Sequence, residues 1–310
     1  MDATWRKHFG RVVIGFVYAS IFFSPTIAAD NPATIPDFSG IWGRNTLNLE
    51  QPTSGPGAVV SKLRRADGSV DAFGAVVGDD ASPILKPRAA EAVRRRGEIE
   101  LTGVSAPNPH NQCWPEPTPF VLSTQFGMQM LQQRDDVILL YPGNSQVRHV
   151  RMNEPHPAKV TPSWQGNSVG HYEGYTLIVD TVGIKVGALS MVDLYGAPYS
   201  PALHVIERYR LIDGEAARNA QSKHASLYAP GPPMPFNPYG RGDIDPDPAK
   251  NGLQVEITVD DPGMFTTRWS GLVTYRHVLG EWPEAICAEN TNNYTSNRDA
   301  APPTAVRPDF

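Results

Sequence analysis

The chain has 310 residues, with 27 Lys and Arg against 32 Asp and Glu, 30 prolines, 27 glycines and two cysteines. A formal charge of −5 at pH 7 and the lack of a long basic block argue against nucleic acid as a partner. The apolar share of 40% is too high for a disordered chain. So many prolines and glycines favour short strands joined by turns over an architecture of long helices.

The first 29 residues have the pattern of a secretory signal peptide. Arg6, Lys7 and Arg11 precede the apolar run Val12–Phe23, and small residues follow up to Ala29. This run is shorter than the roughly 18 residues that a membrane-spanning helix requires. We expect cleavage near Ala29, export to the periplasm or the medium, and no stable membrane insertion afterwards; an uncleaved anchor is the alternative.

Export gives the two cysteines, Cys113 and Cys287, a compartment in which they can pair. Neither local sequence provides the base and the cationic surroundings that a reactive thiol needs. We therefore expect a disulfide between them, with two buried thiols or thiol chemistry as the alternatives.

The pattern from Pro119 onward is that of strands joined by tight turns. The turns Pro142-Gly143-Asn144 and Glu173-Gly174 require antiparallel neighbours, because parallel strands need a crossover of a dozen or more residues. The predicted strands are Phe120–Phe126, Val137–Tyr141, Gln146–Met152, Ser168–Tyr172, Tyr175–Val182, Leu203–Ile212, Leu253–Asp260 and Thr266–His277. Together with Gly40-Ile41-Trp42, which resembles the first strand of lipocalin-like and avidin-like barrels, they suffice for a mainly β fold, an antiparallel barrel of the lipocalin or calycin type.

The other segments are predicted to be one short helix and long loops rich in Pro and Gly. Pro87–Glu100 has a proline in its first turn and reads as the helix. The predicted organisation is a signal peptide (1–29), an N-terminal extension with the first strand and the helix (30–118), a barrel core (119–295) and a flexible tail (296–310). Within the core, residues 229–251 form a proline-rich insertion, either a lid over the barrel mouth or a surface insertion.

Two catalytic motifs are satisfied only in part. Gly166-Asn167-Ser168-Val169-Gly170 matches the serine hydrolase elbow, but that motif needs a strand-to-helix turn and a hairpin follows here. A nucleophilic Ser168 is therefore a secondary alternative to a tight, glycine-flanked strand entry. No spacing typical of a metal site or of a dinucleotide-binding loop occurs, so we expect neither metal nor organic cofactor.

Alternation along residues 203–211 gives the strongest indication of chemistry. One face of this strand is largely apolar but includes Glu207; its members are Leu203, Val205, Glu207, Tyr209 and Leu211. If this face points inward, burial raises the pKa of a carboxylic acid towards the range of a general acid. Asp180 follows an apolar run on a neighbouring strand, and two inward carboxylates near Tyr209 and a histidine would form an acid–base site. The alternative is a buried ion pair between Glu207 and an arginine of a neighbouring strand.

Several of these segments together resemble a widespread family of secreted, largely uncharacterised bacterial proteins. The pattern includes residues 146–148, 155–157, 162–174, 177–181, 202–209 and 255–262, with Gly-x-Ser-x-Gly-x-Tyr-Glu-Gly and Leu-His-Val-x-Glu-Arg-Tyr at its centre. The resemblance runs from about Phe38 to Tyr294 and implies export and a β-rich fold. This chain has Tyr175 where an Asp commonly follows the Glu-Gly turn.

The sequence therefore predicts an exported enzyme that performs acid–base chemistry, of the lyase, isomerase or hydratase type, on a small hydrophobic or aromatic molecule. The expected catalytic residues are Glu207, Asp180, His204, His171 and Tyr209, and the expected pocket residues are Trp164, Phe265 and Trp269. The first alternative is a non-catalytic, lipocalin-like carrier of an apolar ligand, and the second is the serine hydrolase.

Overall fold

The computed structural model describes residues 35–44, 46–66, 69–70, 76–124, 127–227 and 243–280. Four predictions concern residues outside these ranges: the signal peptide 1–29, the Cys287 half of the disulfide, the tail 296–310 and most of the proline-rich insertion. They stay predictions.

Ten strands and three helices form in the described residues. The strands are β1 Gly40–Gly43, β2 Met128–Gln132, β3 Asp136–Tyr141, β4 Gln146–Met152, β5 Asn167–Glu173, β6 Thr176–Val182, β7 His204–Ile212, β8 Asp243–Ile244, β9 Gly252–Asp260 and β10 Trp269–Leu279. The helices are α1 Pro87–Glu100, α2 Phe120–Ser123 and α3 Gly214–Ser226, and a single 3₁₀ turn, Gly143–Ser145, joins β3 to β4.

Nine of the strands close into a barrel, which confirms the predicted fold class. Hydrogen-bonded neighbours follow the order β1-β2-β3-β4-β5-β6-β7-β9-β10, and β1 pairs with β10 to complete the circle. The two-residue strand β8 pairs with the end of β10 outside this circle. Closure removes the exposed edges that a flat sheet of alternating strands would leave unpaired.

One pair of neighbours, β4 and β5, is parallel, whereas the sequence predicts antiparallel pairing throughout. Residues 153–166 connect these two strands, and a connection of that length can return the chain to the starting end of its neighbour. This connection carries His156, whose ring contacts Asp180 of the neighbouring strand β6.

The barrel interior is filled with large side chains. Trp42 donates a hydrogen bond from its indole nitrogen to the carbonyl of Phe38 at 2.8 Å, and its ring lies 3.9 Å from that of His277. Helix α1 adds Ala89 and Val93 to the same hydrophobic core. The largest fully buried side chains include Trp42, Trp269, Arg44, Arg148, Tyr141, Tyr199, Tyr209 and Tyr275.

The helices differ in part from the prediction. Helix α1 has the predicted bounds, but the segment predicted as the strand Phe120–Phe126 begins as the helical turn α2. Its four residues are all buried, so their apolar character does not distinguish a strand from a buried helical turn. Helix α3 was not predicted, although Asp213 is its N-cap and accepts a hydrogen bond from the backbone N–H of Ala216 at 3.0 Å. None of the described helices combines the length and apolar character that a membrane crossing requires.

Candidate functional site

Strands β6 and β7 place the two predicted carboxylates on opposite sides of the barrel wall. Glu207 lies directly across from Val179, and both side chains are fully buried inside the barrel. Asp180, the next residue along β6, lies across from Ile206 and points outward with 35% of its side chain exposed. The prediction of a shared inward site for Glu207 and Asp180 is therefore wrong, because neighbouring residues of a strand alternate between its two faces.

Inside the barrel, Arg148 of β4 binds the Glu207 carboxylate through both terminal nitrogens. Its Nη1 donates to Glu207 Oε1 at 3.1 Å, and its Nη2 donates to Oε2. The Nε donates to the hydroxyl of Ser168 at 2.9 Å, and Nη2 also donates to that of Thr181 at 2.7 Å. Tyr209 donates to Glu207 Oε1 at 3.0 Å, which completes an inner network of five side chains.

Arg148, Tyr209 and the nearby Tyr141 all have raised pKa values and stay protonated at neutral pH. Burial disfavours the charged guanidinium, but the facing Glu207 carboxylate outweighs it and raises the pKa of Arg148 well above its usual range. Burial, followed by the charge of Glu207, raises the pKa of the Tyr209 phenol well above 10. Burial likewise raises the pKa of Tyr141, whose ring lies near the same pair, to about 12. The geometry matches the alternative of a buried ion pair, here with an arginine three strands away in the barrel.

Ser168 belongs to this inner network. Its side chain is buried, and its hydroxyl shares a 3.0 Å hydrogen bond with that of Thr181 while it accepts from Arg148. It lies within strand β5, which continues into a hairpin instead of turning into a helix. This arrangement lacks the exposed turn on which the serine hydrolase motif depends.

On the outer wall, two histidines converge on Asp180. Oδ1 of Asp180 lies 2.8 Å from Nε2 of His204 and 3.0 Å from Nε2 of His156. Nδ1 of His156 lies 2.8 Å from Oδ1 of Asn167, which also accepts a hydrogen bond from Arg151 at 3.2 Å. We call these five residues the outer cluster. A third of the His204 side chain and a quarter of the His156 side chain are exposed, so solvent reaches the cluster.

Protonation in the outer cluster is set by the mutual contacts of its members. Burial alone would raise the pKa of Asp180, but the hydrogen bonds from His204 and His156 outweigh it and lower that pKa below 3.8. The hydrogen bond to Asp180 raises the pKa of His204 above 6.5, against the opposing effect of burial. A histidine whose pKa lies near neutrality can both accept and release a proton.

The other predicted site residues do not join either group. His171 is half exposed on the outer wall and contacts Glu173, with Nε2 3.1 Å from Oε1. Trp164 packs edge-on against Trp114, and the Lys185 ammonium lies 5.0 Å from its ring centre. The predicted pocket residues Phe265 and Trp269 instead pack against each other within the core, with ring centres 5.6 Å apart.

Two of the cavities that described residues line contain none of the predicted pocket residues. The larger is an open groove of about 350 Å³ beside the ends of β2 and β5, lined by Ile35, Pro36, Asp37, Ser39, Gln132, Gln133, Arg134 and Tyr172. The smaller, of about 50 Å³, lies against the end of α3 near His224. In the ranges that the structure describes, no three His, Cys, Asp or Glu side chains are arranged so that they could hold a metal ion.

Five members of the inner network and the outer cluster were not predicted as site residues: Arg148, Thr181, Arg151, His156 and Asn167. Arg148 occupies the same face of β4 as the buried Val150 and Met152, so alternation on that strand would have identified it. His156 and Asn167 meet only because a connecting segment folds back on the wall, and no periodicity signals such a contact.

No family model, no curated protein and no solved structure matches the chain.

Proposed function

We propose that the protein is an exported enzyme that performs acid–base chemistry, of the lyase, isomerase or hydratase type, on a small hydrophobic or aromatic molecule, with Asp180 and His204 as its acid–base pair. The observation that carries this proposal is the 2.8 Å contact between Asp180 Oδ1 and His204 Nε2 on a partly exposed wall. The hydrogen bond holds one ring nitrogen of His204. Within the described part of the chain, its Nδ1 has no hydrogen-bonding partner and is left for a substrate.

The chemistry follows from this orientation. Neutral His204 donates Nε2–H to Asp180 and accepts a proton from the substrate at Nδ1, and the Asp180 carboxylate stabilises the imidazolium that forms. Return of the same proton to a different substrate atom gives an isomerisation. Its transfer to a leaving group, as the bond from that group to carbon breaks and a carbon–carbon double bond forms, gives an elimination. When the leaving group is hydroxide it departs as water, and the reverse reaction, addition of water to the double bond, is a hydration. All three reactions use the pair for proton transfer, and none needs an oxidant or a reductant.

An apolar substrate suits the surroundings of this pair. The direct cross-strand neighbours of Asp180 are Val169 on β5 and Ile206 on β7, so the carboxylate stands between aliphatic side chains. Ile178, two residues from Asp180 on the same face of β6, is also aliphatic; it and Val169 are buried, whereas Ile206 is partly exposed. An apolar molecule on this wall would exclude water from the pair and strengthen its electrostatic interactions.

Hydrogen exchange into substrate tests the proposal even where the product of the reaction is unidentified. The purified chain is incubated in D₂O with a panel of small aromatic and alicyclic molecules, and deuterium incorporation is followed by mass spectrometry. We expect exchange in at least one compound, and a loss of about 10²- to 10⁴-fold in His204→Gln, since a positioned general base contributes about that factor. His171→Gln, which removes a histidine from the same wall, should leave the rate unchanged. Equal exchange in His204→Gln and in the unmodified chain would reject the assignment.

A second function, carriage of an apolar ligand, is favoured by the groove beside β2 and β5. Its volume of about 350 Å³ suits a small ligand, and Ile35, Pro36 and Tyr172 supply apolar surface. Titration calorimetry with compounds identified by native mass spectrometry distinguishes the two functions. A carrier loses affinity in Tyr172→Ala and keeps it in His204→Gln.

The motifs of residues 146–262 support the proposal that the chain belongs to the secreted bacterial family. Two further proposals can be tested on the purified protein. The first is export, which rests on the signal-peptide pattern of residues 1–29. Intact mass and N-terminal sequencing of the protein recovered from the periplasm test the first. A new N-terminus near residue 30 would support cleavage, whereas a mass that includes residues 1–29 would indicate an anchor. A Cys113–Cys287 disulfide would lower the same intact mass by two hydrogens.

A further inference from the structure

We propose that His156 is a positioning residue whose doubly protonated ring shares Asp180 with His204 and thereby keeps His204 able to release its proton near neutral pH. The proposal rests on the proposed function for its catalytic meaning. Its physical content, a coupling between two histidines through one carboxylate, is independent of any substrate.

The protonation of His156 follows from its two neighbours. Nε2 faces Oδ1 of Asp180 at 3.0 Å, and Nδ1 faces Oδ1 of Asn167 at 2.8 Å. Both neighbours are oxygens that accept hydrogen bonds, and a neutral imidazole has only one N–H to donate. Only the ring with a proton on each nitrogen satisfies both contacts.

Arg151 removes the other explanation, which is a rotated amide. A rotated Asn167 would present its NH₂ group to His156, but it would present the same group to Arg151 as well. Arg151 Nη2 donates to Asn167 Oδ1 at 3.2 Å, and a guanidinium has no acceptor with which to bind an NH₂ group. The amide oxygen therefore faces both Arg151 and His156. Glu154 accepts from Nε of Arg151 at 2.9 Å and holds the guanidinium in place.

The charge on His156 matters because both imidazoles share one oxygen of Asp180. A lone carboxylate would act on His204 with its whole negative charge and keep that ring protonated. The positive charge of His156, on the same oxygen, offsets part of this attraction. Two further charges act on His204: Asp260 of β9 favours its protonated form, and Arg268 opposes it.

Replacement of His156 by Gln separates the charge from the hydrogen bond. Gln keeps a side-chain N–H that can face Asp180 but has no charge. We expect the pKa of His204, measured by ¹H–¹⁵N NMR titration of the full chain in the presence of a chelator, to rise by roughly one pH unit in His156→Gln. The rising limb of the pH–rate profile should move upward by the same amount. The two ring nitrogens of His156 in the unmodified chain should give the chemical shifts of a doubly protonated ring at pH 7.

Two further variants keep the test decisive. Asn167→Ala removes the acceptor that requires the Nδ1 proton, and it should raise the pKa of His204 in the same direction by a smaller amount. His171→Gln serves as the control, because His171 contacts Glu173 and should leave the titration of His204 unchanged. An unchanged or lowered pKa of His204 in His156→Gln, or a singly protonated His156 at pH 7, would overturn the proposal.

The NMR titration also separates this proposal from the proposed function. If His156→Gln shifts the pKa of His204 while His204→Gln keeps full exchange activity, the coupling stands and the catalytic assignment fails. If His204→Gln abolishes exchange while the pKa is unmoved in His156→Gln, the catalytic assignment stands and the role of His156 fails.

Discussion

The inner network and the outer cluster stand on the two sides of the same pair of strands, β6 and β7, and each is built around a carboxylate. The carboxylate of Glu207 faces a guanidinium, three hydroxyl groups lie around the pair, and both charged side chains are almost completely buried. The carboxylate of Asp180 faces two imidazoles and is about one-third exposed. Glu207 and Asp180 carry the same chemical group. They differ in their partners and in their access to water, and these differences decide whether the carboxylate can take part in proton transfer.

An arginine keeps its proton at every physiological pH, so a carboxylate bound to it bidentately contributes a fixed charge. A histidine exchanges its proton near neutral pH, so a carboxylate bound to it can tune a reaction. Glu207 is thus part of the buried barrel interior, whereas Asp180 is the carboxylate to which the proposed chemistry is assigned. This comparison yields predictions for stability, for its pH dependence and for the titration of His204.

The largest effect is expected for the inner network. Glu207→Gln leaves the buried guanidinium of Arg148 without a counter-charge, and loss of one partner of such a pair costs about 3–5 kcal/mol in the free energy of unfolding. The double variant Arg148→Met/Glu207→Leu removes both charges and should recover most of that loss. Urea unfolding followed by tryptophan fluorescence measures both. Glu173→Gln, at an exposed position, is the control and should change stability by less than about 0.5 kcal/mol.

His224 of α3 tests the pH dependence of stability, because it is a buried residue that titrates within the range in which the protein can be studied. Burial, and then the charge of Arg44, lowers its pKa from 6.5 to about 4, and its Nε2 donates to the carbonyl of Leu47 at 2.8 Å. The folded state thus binds fewer protons than the unfolded state between pH 4 and 6.5. Its contribution is present above pH 6.5 and is lost as the pH falls, by about 3 kcal/mol at pH 4. The difference in unfolding free energy between the unmodified chain and His224→Gln should follow this curve.

Asp193 should show the opposite dependence. Burial raises its pKa from 3.8 to about 6, against hydrogen bonds from the backbone of residues 195–197. The folded state binds more protons than the unfolded state between pH 3.8 and 6, so the contribution of Asp193 to stability is fully present below pH 3.8 and falls by about 3 kcal/mol as the pH rises through 6. Asp193→Asn should lose this dependence. In the unmodified chain, the pH dependences that Asp193 and His224 give to the free energy of unfolding have opposite signs between pH 4 and 6. When one of the two residues is replaced, the dependence caused by the other becomes visible. Parallel curves for the two variants would contradict this account.

The fold was largely predictable from the sequence, because closure of a barrel depends on features that a single chain displays. Strand alternation and two tight turns located most of the wall, and the bounds of β4 agree with the prediction. The strand β2 was missed because the preceding segment, Phe120–Phe126, was taken as the strand of this region and the next strand was predicted to begin only at Val137. The turn α2 was predicted as a strand because full burial removes the polar positions that define a period.

The site was predictable only in part, for a related reason. Alternation correctly placed Glu207 on the inner face of β7 and His204 on the outer one. The outward position of Asp180 follows from its register against Ile206, and register depends on pairing that one strand does not reveal. His156 reaches Asp180 from a connecting segment, and such contacts depend on the path of the loop instead of a periodic pattern.

The smallest effect on stability, and the most direct test of the comparison, is expected for Asp180→Asn. The partly exposed contacts of Asp180 to two histidines contribute less than about 1 kcal/mol to stability, far below the effect expected for Glu207→Gln. The pKa of His204, however, should fall towards 6.5, because the hydrogen bond to Asp180 is the main cause of its elevation. NMR titration of His204 and urea unfolding of the same sample give the two quantities, with His171→Gln as the control for both. A large loss of stability with an unmoved pKa would make the outer cluster a second structural ion pair, and the distinction between the two walls of the barrel would then fail.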